Sequence, residues 1–320
     1  MASVKYSVVI PVYDRPEEIA ELLSSLVFQH YKDFEVIIVE DGSNITCKEV
    51  FESYADKLKI RYFFKPNSGP GPSRNFGFSH AIGEYFVVFD SDCLLPSSYF
   101  SQVENFMKRE KVDMWGGPDR GHDDFTVKQR AMAYTMSSTF TTGGIRGGMK
   151  RIDSFQPRSF NMGMSREVFE RTGGFVFDRF AEDIELSLRV KKMGFSVVLI
   201  PDAFVYHKRR TSFSQFYRQV SNFGRGRVLV GRAHREAVKL VHWFPSLFTM
   251  GVLSLPVWLL FEMRLGLVLG FSYLAYLLVV GVDAFRVTSS AGVAFMAVPS
   301  ALVQLFGYGL GFIKEKLRVS

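Results

Sequence analysis

The chain has 320 residues, 47% hydrophobic and 15% aromatic with 32 Phe, and a formal net charge of +7; that length admits one large domain or two. The charge is local: from Lys208 to Lys239 nine Lys/Arg face one acid, Glu236, so this stretch carries +8 and the remainder is near neutral. That pattern excludes a uniformly basic nucleic-acid binder, and two cysteines, Cys47 and Cys93, exclude a disulfide framework.

Free thiols suit a reducing compartment. The start, Met-Ala-Ser-Val-Lys-Tyr, runs into a strand pattern without a signal-peptide pattern, which puts the first domain on the cytoplasmic side.

Lys5 to Val12 reads as a buried strand. Ile19, Leu22, Leu23 and Leu26 recur at helical spacing and predict a helix from Pro16 to Phe28, with Pro16 suited to its first turn. A second buried strand, Glu35 to Val39, ends at Glu40-Asp41-Gly42-Ser43. A short helix follows over Thr46 to Ala55, then a strand over Ile60 to Phe64, a Pro/Gly loop over Lys65 to Pro72 and a helix from Ser73 to Ala81. Glu84 to Phe89 is a fourth strand, followed by a helix from about Ser98 to Arg109. Strands alternating with helices predict an α/β fold with a mostly parallel sheet.

Roughly Trp115 to Phe160 is rich in Gly, Thr and Met with little periodicity, and Gly143-Gly144 and Gly147-Gly148 suggest mobile loops. Order returns at Asn161 to Ser165, with helices over Arg166 to Arg171 and Glu182 to Lys192, a strand from Phe195 to Ile200, and then Val205-Tyr206-His207.

In sheets of this kind ligands bind at the carboxyl ends of the strands. Three such ends carry polar clusters: Tyr13-Asp14-Arg15, Glu40-Asp41-Gly42-Ser43 and Asp90-Ser91-Asp92. The last is the most informative, because two carboxylates one residue apart at the end of a rigid strand offer hard oxygen ligands for Mg²⁺ or Mn²⁺, which in turn would hold a diphosphate. His207 follows a strand and is a candidate further metal ligand, against the commoner structural role of a lone His. Trp115 would either stack on a sugar or acceptor face or border the core. Gly116-Gly117-Pro118 reads as a turn that lets the backbone come close.

After Val241 come three apolar stretches, His242 to Phe261, Leu265 to Val282 and Ala291 to Ile313, each about the 17–25 residues that a bilayer span requires. The basic stretch before them fits the positive-inside rule and anionic headgroups. Its Phe213, Phe216, Tyr217, Val220 and Phe223 suit an amphipathic helix in the interface. Three full spans would place the tail Lys314 to Arg318 outside; two spans, or a re-entrant pair plus one span, would keep it inside. The expected organisation is a catalytic domain over residues 1–207, a basic interfacial segment over 208–240 and a transmembrane helical region over 241–320.

The strand Ser7 to Tyr13 followed by Arg15, the Val39-Glu-Asp-Gly-Ser43 turn, Gly69 with Ser73-Arg74-Asn75, Phe89-Asp-Ser-Asp92 and Glu182-Asp183 occur in the order seen in family 2 glycosyltransferases of the GT-A fold, and this chain resembles them over about Val4 to His207. The resemblance implies inverting transfer of a sugar, of the hexosyltransferase type, from a nucleotide diphosphate sugar, usually with Mg²⁺ or Mn²⁺. It implies that Pro11, Tyr13, Asp41 and Ser43 surround base and ribose, that Gly69 and Arg74 lie near the nucleotide, and that Asp90 holds the uridine or ribose side. Asp92 would coordinate the metal, and Asp183 would be the catalytic base with Glu182 beside it. Asp14 stands where the family usually has Asn. Gln215-Phe-Tyr-Arg218-Gln219 lacks the Trp of the processive motif, which points to single-sugar addition.

The expected activity is therefore a membrane-anchored inverting glycosyltransferase of an inner membrane, its catalytic domain cytoplasmic. Its partners would be a nucleotide-sugar donor (UDP, with GDP and dTDP open), membrane lipids and a lipid-linked or other saccharide acceptor of envelope polysaccharide or glycolipid synthesis. The alternatives are a non-catalytic subunit that binds nucleotide sugar, which would not need Asp183, and a nucleotidyltransferase, which would need a Gly-rich basic loop where Tyr13-Asp14-Arg15-Pro16 stands.

Overall fold

A computed structural model describes residues 4–120, 125–143, 155–207 and 210–318. Gly144, Gly147, Gly148, Lys208 and Arg209, singled out above, lie outside the described residues. In chain order the elements are β1 (Tyr6–Val12), α1 (Pro16–Val27), β2 (Phe34–Asp41), α2 (Lys48–Tyr54), β3 (Ile60–Lys65), α3 (Pro70–His80), β4 (Tyr85–Phe89), β5 (Cys93–Leu94), α4 (Tyr99–Met107), β6 (Met114–Gly116) and β7 (Asp119–Arg120). There follow α5 (Val127–Ser137), α6 (Thr139–Thr142), β8 (Asn161–Ser165), α7 (Arg166–Thr172), α8 (Glu182–Lys192), β9 (Val197–Leu199) and β10 (Val205–His207). The last four helices are α9 (Phe213–Ala233), α10 (Phe244–Phe261), α11 (Met263–Thr288) and α12 (Ala291–Leu317).

The chain divides into two compact units, one of Met1–His122 with Arg151–Lys208 and one of Asp123–Lys150 with Arg209–Ser320. The first is built on a seven-stranded sheet in the order β3-β2-β1-β4-β8-β6-β9. β1 to β4 are mutually parallel, and β8 runs antiparallel to both β4 and β6. Strand alternation sends the two faces of the sheet into two cores. Val8 and Ile10 of β1 join Leu22, Leu23 and Leu26 of α1 on one side, while Val9 joins Phe78 of α3 on the other. A second sheet, in the order β5-β10-β7, was not legible as strands because its members are two or three residues long.

Two local differences from the sequence reading have simple causes. The Pro/Gly loop before Ser73 supplies the first turn of α3 instead: Gly69 at the N-cap has φ +99°, and Pro70 sits at N1, where its missing N–H costs nothing. The stretch without periodicity contains α5, opened by a capping box in which the Thr126 hydroxyl accepts from Gln129 N–H and the Gln129 side chain accepts from Thr126 N–H. α5 shows no clean amphipathic stripe because its packing partner is the apolar helix α12, far along the chain.

In the second unit the apolar side of α9 lies on α12. A side chain at Gly224 of α9 would meet Tyr308 O at 2.2 Å, and one at Gly311 of α12 would meet Ser221 O at 2.2 Å, so these glycines set the close approach of the two helices. The second unit thus gathers α5, α9 and the apolar helices into one compact body. Leu240–Phe261, Met263–Thr288 and Ala291–Leu317 are each long and apolar enough to span a membrane.

Candidate active site

The parallel strands end side by side, which collects three polar turns on one edge of the sheet. At the end of β1, Pro11 is half-buried and registers with Val39, and Tyr13 is 48% exposed. Asp14 takes φ +50°, a backbone region that Asp tolerates better than most residues. Its carboxylate accepts from the N–H groups of Asn44 (2.7 Å) and Ile45 (2.9 Å), which hold its pKa below the usual range, and its own N–H donates to Ser43 Oγ at 2.8 Å. Asp14 therefore ties the β1 turn to the β2 turn. Ser43 in turn donates to Glu40, a fully buried acid that also accepts from Cys47 N–H (2.8 Å) and the Tyr62 hydroxyl (3.2 Å).

Asp41 closes β2. It pairs with Lys65 of β3 and accepts from the N–H groups of Ser68 and Gly69, each at 2.9 Å. Burial pushes its pKa up, but these donors and Ser73 outweigh burial and hold the carboxyl below its ordinary value. Gly69 cannot carry a side chain, since its φ is positive and a Cβ would meet Asp178 O at 2.7 Å.

Beyond β4 two ion clusters stand within three residues of each other. Arg74, fully buried on α3, donates Nη2 to Asp90 (2.8 Å) and Nη1 to Glu182 (2.7 Å). Burial raises the Glu182 pKa, and Asp183 next to it adds to that, while Arg74 opposes both. Asp92 is buried and is held by Arg15 Nη1 at 2.6 Å and His207 Nε2 at 3.1 Å. Burial alone would raise the Asp92 carboxyl, but His207 and Arg15 pull it well below the usual range. The pairing of β10 with β5 in the register His207↔Cys93 brings His207 to this place.

Asp92, Cys93 and His207 offer ligand atoms within 4.8 Å of one another. One carboxylate oxygen and one imidazole nitrogen are a fitting donor pair for Mn²⁺ or Mg²⁺, leaving other positions for phosphate oxygens. Cys93 contributes less, because burial and the neighbouring Asp90 and Asp92 raise its thiol pKa well above normal and its Sγ points to Phe160 O at 3.5 Å. The His207 ring is stacked on Phe160, and its buried Nδ1 has no hydrogen-bond partner among the described residues. The donor set therefore fits a divalent ion held by Asp92 and His207.

Asp183 stands in the first turn of α8. Its carboxylate accepts from Ile184 N–H at 2.7 Å and Ser159 N–H at 3.4 Å, with Arg158 Nη1 3.7 Å away. Glu182, adjacent in sequence, turns instead to Arg74. The stacking role considered for Trp115 is corrected: the side chain is 0% exposed in β6, edge-on to Tyr6 and Tyr85, so neither ring face is open to a sugar. The turn after it makes the close approach expected of Gly117, where a Cβ would lie 1.7 Å from Ala203 O.

Four contributors escaped the sequence reading of roles. Arg15 was visible as part of a strand-end cluster, yet nothing in the sequence pairs it with Asp92. Glu40 was likewise visible in the β2-end cluster, though not as the acid that fixes Ser43, Cys47 and Tyr62. Lys65 and Arg158 carried no signal, since each acts on a partner brought near by the fold.

A family model described as glycosyl transferase family 2 matches residues 7–173, a little over half of the chain. An uncharacterized glycosyltransferase of Rickettsia felis is 42% identical over 104 residues, which are 32% of this chain and 17% of that protein. The chain thus spans well under half the length of the Rickettsia relatives it matches. Among solved structures, the mannosyltransferase PcManGT of Pyrobaculum calidifontis, in complex with GDP-Man and Mn²⁺, superposes with a TM-score of 0.66 over 96% of this chain and 88% of that one at 17% identity. S. aureus TarS 1–349, in complex with UDP-GlcNAc, gives 0.53 over 98% and 91% at 19% identity. At such identities the likeness is one of fold, and it matches the GT-A arrangement of the first unit.

Proposed function

The chain belongs to glycosyl transferase family 2, and from that premise we propose that it moves a sugar from a nucleotide diphosphate sugar to the hydroxyl of a membrane-associated saccharide or lipid-linked acceptor, with inversion, in a single displacement. Pro11, Tyr13, Asp41 and Ser43 receive base and ribose, with Gly69, Arg74 and Asp90 on the nucleotide side. The fixed Asp41 carboxylate and the neighbouring turn suit N–H and hydroxyl donors of a nucleoside. Two neighbours in fold carry GDP-Man and UDP-GlcNAc, so the base of the donor is left to experiment.

Asp92 and His207 would hold a divalent ion, which when bound would supply positive charge against that developing on the leaving diphosphate. Asp183 takes the proton of the acceptor hydroxyl as that oxygen bonds to the anomeric carbon and the bond from that carbon to the diphosphate oxygen breaks. General-base help of this kind is worth about 10²–10⁴-fold. Glu182 acts through Arg74 as a positioning residue: it fixes the guanidinium that also holds Asp90. The three apolar helices support anchoring in a membrane. The basic stretch before them suits the cytoplasmic face, so on this reading the anchor lies in an inner membrane with the first unit on the cytoplasmic side, where a membrane-bound acceptor of envelope polysaccharide or glycolipid synthesis would be met.

The observation that carries this reading is the convergence of Asp92 and His207 beside the Arg74-Asp90-Glu182 cluster, on the strand edge where ligands bind. The test is nucleotide release from a panel of nucleotide sugars by detergent-solubilised protein, with Mn²⁺ or EDTA, for wild type, Asp92→Ala and Asp183→Asn. Metal-dependent release from one donor, abolished by both substitutions, supports the reading. Absence of binding to every donor rejects it.

A further inference from the structure

The helical unit decides a question that hydropathy leaves open, namely how many of its three apolar helices cross a bilayer. α10 and α11 are an antiparallel hairpin. Phe244 packs on Tyr276 and Phe248 on Tyr273, while Gly266, near the start of α11, approaches Leu259, near the end of α10. The beginning of α10 and the end of α11 are therefore at the open end of the hairpin, and Glu262 is at its closed end. α12 starts just after α11, behind Ser289-Ser290, hence on the open side.

It also finishes there. As α12 proceeds it meets successively earlier residues of α10: Leu305 O accepts from Thr249, Gly309 O accepts from Ser246, and Phe312 packs on Trp243. One turn further, buried Glu315 receives Arg225 (3.2 Å) and Arg232 (3.4 Å) of α9. A helix whose two ends both lie at the open end of a hairpin does not pass to the other side of the membrane.

Burial agrees. The apolar windows of α10 and α11 are 17% and 11% buried, whereas that of α12 is 44% buried. α12 is covered on its apolar sides by α5, α9, α10 and α11, but one of these neighbours is a helix that hydrocarbon excludes. α9 runs alongside it carrying Arg218, Arg225, Arg227 and Arg232, and charged side chains at the bilayer centre are costly. A cavity of about 440 Å³ near its last turn has Arg232, Arg235 and Lys316 on its wall beside Val228, Val238, Trp243 and Phe312, a mixed polar and apolar setting of the kind met at the headgroup level. By contrast Leu260 and Phe261 at the closed end are each 83% exposed, and Phe271 and Leu278 on α11 are 67% and 68% exposed, as surfaces meant for lipid are. Eighteen residues of α10 give about 27 Å, close to the ~30 Å hydrocarbon thickness.

Resting on the membrane-anchor reading above, we propose that α10 and α11 are the two spans and that α12 lies along the membrane surface with α9, leaving the C-terminal tail on the same side as the basic segment.

The test uses three single-cysteine variants of the full chain in sealed membrane vesicles: Leu240→Cys at the open end, Met263→Cys at the closed end and Leu317→Cys in the last turn of α12. All are labelled with an impermeant maleimide before and after permeabilisation. The expected result is that Leu240→Cys and Leu317→Cys label from one side and Met263→Cys only from the other. Leu317→Cys labelling together with Met263→Cys makes α12 a third span and overturns the proposal. Labelling of all three from one side overturns the crossing of the hairpin. Alkaline carbonate extraction is the control that separates the two readings: release of the protein into the supernatant means the anchor itself is wrong, whatever the labelling pattern.

Discussion

Asp92 and His207 are 115 residues apart in sequence, yet His207 Nε2 stands 3.1 Å from Asp92 Oδ1. β5 begins just after Asp92, and β10 pairs with it antiparallel, so backbone pairing fixes the distance between the two side chains. Arg15, arriving from the end of β1, holds the second oxygen of the same carboxylate. If this carboxylate and imidazole receive a divalent ion, Asp92→Asn and His207→Ala will each weaken Mn²⁺ binding measured by electron paramagnetic resonance with nucleotide present. Nucleotide release should fall about 100-fold or more, as loss of several kcal/mol of charge stabilisation implies. Unchanged Mn²⁺ affinity in both variants would remove them from the metal site.

Arg74 carries two acids while fully buried. Arg74→Met would leave Glu182 without its counter-charge, and breaking a buried pair in this way costs about 3–5 kcal/mol. Glu182→Gln keeps a hydrogen-bond acceptor for Arg74 and is expected to cost less. Urea denaturation midpoints of the two variants measure the difference; equal midpoints would contradict the account.

The lowered pKa of Asp41 predicts an acid-sensitive step in stability. The folded state binds the Asp41 proton less readily than the unfolded state, whose carboxyl titrates near its ordinary 3.8. The stabilisation is therefore complete above that value and is lost as pH falls through the lower folded pKa. From about pH 4 downward, stability of the wild type should drop more steeply than that of Asp41→Asn. Parallel curves from urea titrations would argue that the Lys65, Ser68 and Gly69 contacts do not persist in solution.

Trp115 belongs to the core, so Trp115→Ala should cost about 3–5 kcal/mol of stability. At temperatures where the variant stays folded, its preference among donors and acceptors should be unchanged. A selective rise in KM for one sugar without loss of melting temperature would restore a sugar contact.

Gly117→Ala places a Cβ 1.7 Å from the Ala203 carbonyl. The backbone before β10 must move, at a cost of about 1–3 kcal/mol. Because β10 carries His207, Mn²⁺ affinity should fall along with the melting temperature, whereas Gly173→Ala, whose Cβ meets nothing within 4 Å, should leave Mn²⁺ affinity as it is.

Much of this protein is local and so was determined by the sequence alone. Alternating apolar runs and helical spacing in the first unit are satisfied by neighbours in the chain, which is why β1 to β4, α1 and the strand-end acids could be read directly. The three apolar stretches were equally plain, since their length and composition need no partner to be recognised. Only the tertiary structure decided what depends on distant pairing. It set Arg15 and His207 on Asp92, and it turned Glu182 away to Arg74 while its neighbour Asp183 took the Ser159 and Arg158 side. It put Trp115 in the core, formed α5 against a helix more than 150 residues later, and brought the end of α12 back beside Trp243. Hydropathy records how apolar a segment is; which side its end reaches is fixed by the helices that pack against it.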